Sequence, residues 1–284
     1  MERKMSFMNR IKRINFSMVL TYFILIVIAL TILFPFFWMV STSLKTPVEA
    51  VKFPPDIFPK NPQLNNYVTA WKKVNFTRYF INTIFIALTQ LVGVLFTSIL
   101  AAYAFARLDF KGREILFISL LGLMMIPMPV YIVPGYMLLQ KIGWIDTYFA
   151  QIVPWMANIF PIFLLRQHFK TIPKDLYDAA VIDGYSDIGF LFKVVVPLSK
   201  PALTTISIFS ILASWNSFIW PLVVTNSDSI RPVQVGLAYF IQEQSTSYTL
   251  LMAASTFVVL PLVIMFFLAQ KQIIESYARS GLKD

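Results

Sequence analysis

The sequence contains no cysteine and one histidine, His168, in 284 residues. It therefore offers no disulfide framework, no thiol chemistry and no Cys/His metal cluster. An imidazole acid–base pair would rest on His168 alone, which reads as a surface or docking residue. Charge is scarce as well: 13% of residues are charged, against about 25% in an ordinary soluble domain. No Walker A pattern, GxxxxGK[ST], occurs, so the chain is not expected to hydrolyse ATP. With no visible nucleophile–base pair, no catalytic residues, metal or bound cofactor are expected. The net charge of +10 has no nucleic-acid-binding motif beside it, and nucleic acid is not an expected partner.

What the chain has in excess is apolar surface. Hydrophobic residues make up 57% of it, and the mean hydropathy is +0.69. A water-soluble globule of this length cannot bury that much. A bilayer-spanning helix needs about 20 apolar residues, and six uncharged runs approach or exceed that length. They are Phe16–Leu44, Tyr79–Leu108 (less Arg107), Ile115–Leu139, Thr147–Leu165, Ala202–Thr225 and Thr249–Gln270. The fold class is thus an all-α membrane protein with six transmembrane helices in one domain, residues 16–272. Tails at 1–15 and 273–284 flank it. The first apolar run is too long for a cleaved secretory signal and reads as a retained span. Prolines punctuate the runs, and "MMIPMPVYIVP" requires a kinked or broken third span. That break is either a gate beside a pathway or a static packing kink.

Lys and Arg set the expected orientation. With the amino end inside, 16 of the 24 Lys and Arg residues fall on the cytoplasmic side. Both termini are then cytoplasmic. The first outside loop is also basic, and its stretch "FPPDIFPKNPQLNN" reads as an ordered cap.

One charged segment interrupts this pattern: "YDAAVIDGYSDIGFLFKVVVPLSKP", Tyr177 to Pro201. Within residues 173–200, Pro173 opens a short helix, Lys174 to Asp183, in which Ala179 and Ala180 favour helix. Gly184 suits the left-handed stop. Ser186 can cap the next helix, with Asp187 in its first turn. Pro197 and Pro201 break that helix before the fifth span. A rigid helix–turn–helix on the membrane surface is either a docking element or an interfacial helix covering the bundle.

The segment resembles the "EAA" loop of binding-protein-dependent ABC importer permeases. Asp178–Ala179–Ala180, three residues, Gly184, nine residues and Val194–Val195–Val196–Pro197 follow that pattern between the fourth and fifth spans. "FARLDFKGRE", "SWNSFIWPLVV" and "FFLAQKQIIESYARSGLKD" are similar to the second permease of maltose-type and glycerol-phosphate-type uptake systems. The resemblance implies a type I importer permease forming half of a pathway for a sugar, oligosaccharide or glycerol-phosphate-like solute. It implies a sister permease in a heterodimer and two cytoplasmic ATPases that bind ATP and Mg2+. An extracytoplasmic solute-binding protein completes the implied set. Asp178, Ala179, Ala180, Asp183, Gly184 and Pro197 would form the ATPase-coupling site, with Asp178 pairing with a base of the ATPase. Two features depart from the pattern: Asp178 stands where many relatives have Glu, and the sequence stops at "SGLKD" where many relatives have a longer tail.

For the pathway, Trp215, Asn216 and Trp220 offer rings beside an amide, which suits the C–H faces and hydroxyls of a sugar. Asn158 is a further candidate, as are Gln90 and Ser214. The alternative is packing: the tryptophans between helices or at the interface, and Asn216 hydrogen-bonded to a neighbouring span. A secondary transporter coupled to protons or sodium is the rival function. It would ordinarily need ionisable groups or broken-helix ion sites near the midplane.

Overall fold

The computed structural model describes residues 16–241 and 247–280, with side chains at 17–241 and 247–270. The expected amino tail, 1–15, and residues 281–284 lie outside the described residues. All the regular elements among the described residues are helical. The chain divides into two compact units, one of residues 1–70 and 242–256, the other of 71–241 and 257–284.

In the first unit, α1 (Phe16–Ser43) is apolar on all sides and exposed from Met18 to Phe34. Such a helix needs lipid or protein around it. At its end the basic loop folds back on itself. Lys45 is buried, its ammonium donating to the Asp56 carbonyl at 2.6 Å and lying 4.2 Å from the Trp38 ring centroid. Asn66 donates to the Ser43 and Lys45 carbonyls. Thr46 and Glu49 form a capping box over the turn 47–51, satisfying backbone donors that a helix start leaves open.

The second unit is built around α2 (Phe76–Arg107), which packs against α5 (Ile159–Lys170) and α8 (Lys200–Trp215). Arg107 donates to the Phe169 carbonyl at 3.0 Å and to that of Ile172. A cation is thereby placed where the end of α5 leaves carbonyls unpaired. Arg166 is buried, donating to the Phe105 carbonyl at 3.1 Å and to Glu114 at 2.5 Å. Midway along, the Met156 side chain of the fourth span packs onto the bare backbone of α2: a Cβ on Gly93 would stand 2.3 Å from the Met156 Cγ.

The runs 17–43, 76–107, 148–170 and 248–270 are each long and apolar enough to cross a bilayer. The last belongs to α10 (Tyr248–Ser280). The third expected span is broken outright. α3 (Arg113–Leu123) and α4 (Met128–Lys141) meet at 98°. Pro127 supplies the reason: it lacks a donor and stands extended, at φ −68° and ψ 143°, before α4, while Pro129 sits in the first turn of α4, where no donor is needed. The fourth span is interrupted between the turn 148–152 and α5. The fifth is α8 followed, after a break at 216–218, by α9 (Ile219–Val224). The charged segment, residues 187–198, turns away from α8 by 79°.

Candidate coupling loop and pathway cavity

The charged segment folds locally as its residues dictate. α6 (Lys174–Ile182) ends at Asp183, and Gly184 follows at φ +82°. The Gly184 amide donates to the Val181 carbonyl at 3.0 Å, and that of Tyr185 to Ala180 at 2.9 Å. That pair of bonds is a Schellman stop, which glycine enters without a Cβ penalty. The Ser186 hydroxyl then accepts from the Gly189 amide at 3.2 Å, capping α7 (Asp187–Phe190). A π turn over Leu191–Val195 and a short turn with Pro197 lead into α8.

Asp187 does more than stand at a helix start. Its Oδ1 accepts the Tyr177 hydroxyl at 2.9 Å and that of Tyr103, in α2, at 3.3 Å. The bond from Tyr177 pushes that phenol above its ordinary pKa. Nothing in the local pattern signals the Tyr103 contact, because its partner is 84 residues away. The inner faces of both short helices join one apolar core. Ala180, Phe190, Leu191 and Val195 pack with Tyr103 and Ile99 of α2, Leu165 and Phe169 of α5, and Ile206 of α8. The opposite face is open. Asp178, Ala179, Asp183, Gly184 and Pro197 are exposed, and Ile182 and Ile188 are 86% and 68% exposed. Lone exposed aliphatics are ordinary, but two of them beside acids that form no ion pair among the described residues fit a protein contact.

The three interrupted spans converge on one cavity of about 500 Å³. Met128 comes from the third break, Trp155 and Asn158 from the fourth, and Ser214 and Asn216 to Ile219 from the fifth. Gln90 of α2 joins them. Four polar residues named from sequence, Gln90, Asn158, Ser214 and Asn216, thus line the same space. Asn158 caps α5 through the Phe160 amide at 3.0 Å. Asn216 donates to the Leu212 carbonyl at 2.9 Å and accepts from Gln234 at 3.3 Å. The Ser214 hydroxyl is buried and makes no hydrogen bond among the described residues. Interrupted helices are tolerated at membrane depth where they line a cavity.

The tryptophans occupy packed positions. Trp215 is buried and donates to the Val258 carbonyl at 3.2 Å. Trp220 is buried and donates to the Ala150 carbonyl at 2.9 Å. Pro154, four residues beyond Ala150, has no N–H to offer that carbonyl. The indole therefore satisfies a group orphaned by the fourth-span break. Gln90 and Thr97 do the same for the carbonyls of Gln151 and Met156, each at 2.7 Å. His168 is half-buried near the end of α5, with its Nε2 making no hydrogen bond among the described residues.

At the other end of the bundle, Asp146 accepts from the Asn226 and Ser227 amides at 2.7 and 2.8 Å and from the Ser227 hydroxyl. Asp228 accepts from Tyr239 and Arg231, both at 2.8 Å. Arg78, Asn82 and Gln151 donate to carbonyls of residues 229–231. This polar collar fixes the loop that follows the fifth span.

Residues 93–278 match the family described as "Binding-protein-dependent transport system inner membrane component". The chain belongs to that family. It is a permease subunit of a binding-protein-dependent ABC importer, a transport component and not an enzyme. The ion-coupled alternative falls away with that assignment. Among its relatives is the "Arabinooligosaccharides transport system permease protein AraQ" of Bacillus subtilis (strain 168). That protein is 33% identical over 94% of this chain and 96% of its own length. The "Trehalose/maltose transport system permease protein MalG" of Thermococcus litoralis is 35% identical over 91% and 94%. The fold is that of a chain in the crystal structure of "a bacterial ABC transporter involved in the import of the acidic polysaccharide alginate". The TM-score is 0.79 at 24% identity, over 89% of this chain and 95% of that one.

Proposed function

We propose that this permease carries a carbohydrate inward through a pathway it shares with a sister permease. Two cytoplasmic ATPases would drive it, and ATP and Mg2+ would be bound there. A solute-binding protein delivers the sugar from outside. The solute class rests on the relatives, whose names specify arabinooligosaccharides and trehalose or maltose. Both termini and residues 173–200 lie in the cytoplasm, as the distribution of Lys and Arg suggests.

The observation that carries the coupling role is the two-sided character of residues 173–200. One side is exposed, with Asp178, Asp183, Ile182 and Ile188. The other is buried in the core shared by α2, α5 and α8. A push on the outer side reaches three spans through packed side chains, which are too dense to absorb it. Asp178 pairs with a base of the ATPase, the small Ala179 permits close approach, and Gly184 holds the turn. Closure of the ATPase pair rocks the spans between inward-open and outward-open states. Asn158 and Asn216, with Gln90, present hydrogen-bonding groups to the passing solute, while Trp215 and Trp220 hold the breaks in place.

The test is capture of the tagged chain in mild detergent beside Asp178→Lys, with co-purifying proteins identified by mass spectrometry. Wild type should retain a P-loop ATPase and a second permease, and the variant should lose the ATPase. A wild-type chain that comes down alone and moves solute in liposomes without ATP would contradict the proposal.

A further inference from the structure

A second cavity, of about 660 Å³, lies beside the first, and Trp155 and Asn158 line both. Each volume falls within the range of roughly 300–1,000 Å³ typical of small-molecule sites. Trp155 is only partly buried. Its ring is braced by Trp220 at 5.8 Å, nearly edge-on at 84°, and by Tyr131 at 6.3 Å. Around the breaks, Trp215 and Trp220 have committed their indole N–H groups to carbonyls. Trp155 makes no such bond among the described residues. It therefore presents a flat apolar face, a free donor and, three residues on, the Asn158 amide.

The linings have a second property. Among the described residues, neither contains Lys, Arg, His, Asp or Glu. A phosphate or uronate entering them would be desolvated without a counter-charge, at a cost that a neutral hydroxyl escapes by bonding to amides and hydroxyls.

We propose that Trp155 is the stacking platform of the pathway, and that it selects a neutral sugar ring over an anionic one. The inference rests on the reading of the cavity as the solute pathway and narrows it to one solute chemistry and one specificity residue. A pyranose or furanose ring lays its C–H face on the indole, and the Asn158 amide meets its hydroxyls. Glycerol phosphates and uronates are disfavoured.

Saturation-transfer NMR on the whole importer, captured through this chain and held in nanodiscs, tests both parts. The probes are maltotriose, arabinotriose and a mannuronate trimer. At least one neutral trisaccharide should bind, with transfer strongest at the C–H protons of one ring face, and the uronate trimer should bind at least tenfold more weakly. Trp155→Leu should weaken that neutral binding about tenfold, the scale of one lost aromatic contact. Trp155→Phe, which keeps a flat face, should stay within about threefold of wild type. The comparison of neutral and anionic probes needs no variant, so it holds even if Trp155→Leu does not assemble. Preferred binding of the uronate, or face-selective transfer unchanged in Trp155→Leu, overturns the proposal. If Asn216→Leu abolishes binding while Trp155→Leu does not, the pathway reading survives and the platform falls. If no trisaccharide binds, both fall.

Discussion

Trp220 and Trp215 make similar indole-to-carbonyl bonds that should differ in worth. The Ala150 carbonyl faces Pro154 and has no ladder donor. The Val258 carbonyl lies inside α10, four residues before Leu262, which has an N–H. Trp220→Phe therefore bares a buried acceptor and should cost about 1–3 kcal/mol, whereas Trp215→Phe should cost about 1. Thermal unfolding of the two variants in one detergent should rank them in that order. Gly184 allows a similar contrast. A Cβ there meets nothing within 4 Å, so Gly184→Ala suffers only the left-handed backbone, about 1–2 kcal/mol. Gly184→Asn should transport nearly as wild type and Gly184→Val should not, as measured by solute uptake at equal membrane expression.

Among the elements, the polar collar should respond to acid. The Tyr239 hydroxyl, helped by Arg231 and opposed by burial, holds Asp228 below the usual carboxylate range. Burial pulls the Asp146 carboxyl up, but the Ser227 hydroxyl and the two amides outweigh it and hold this group low as well. A carboxylate depressed in the fold stabilises it fully above its unfolded pKa, and that contribution is lost as pH falls through the folded value. Amides of residues 224–233 should lose exchange protection between neutral pH and pH about 3, beyond the intrinsic rate change. Asp146→Asn should show less of that loss. The elements also show where local pattern stops being informative. The Schellman stop at Gly184 and the cap at Ser186 follow from neighbours in sequence, and both stand in the structure as read. The prolines of "MMIPMPVYIVP" announce a break but not its 98° angle, which depends on what α3 and α4 pack against. That Trp220 serves a carbonyl 70 residues earlier follows only from tertiary packing.

For the molecule as a whole, the core shared by the coupling segment and three spans implies that coupling and stability are not separable there. Phe190 is 1% exposed at its centre and stacks edge-on with Tyr177 at 5.2 Å. Phe190→Ala should destabilise by about 3–5 kcal/mol. In the assembled importer it should also lower the solute moved per ATP hydrolysed. Phe190→Leu, which keeps most of the volume, should do less of both. An unchanged ratio in Phe190→Ala would mean that force does not travel through this core. The family and the helical membrane fold were legible because each rests on a contiguous motif or run. The convergence of Gln90, Asn158, Ser214 and Asn216 was legible only as four separate polar residues in apolar runs. Their meeting depends on three breaks facing one another.

The close approach of Gly93 to Met156 divides the machine into a stator and moving parts. Met156 seats against the bare Gly93 backbone, and Thr97 and Gln90 bond the same seam on either side, so sliding α2 along the fourth-span break would unseat that side chain and break both bonds. Under the proposed rocking cycle, these two spans should therefore move together. The third span, broken at 98° beside the cavity, is then the part left freest to shift.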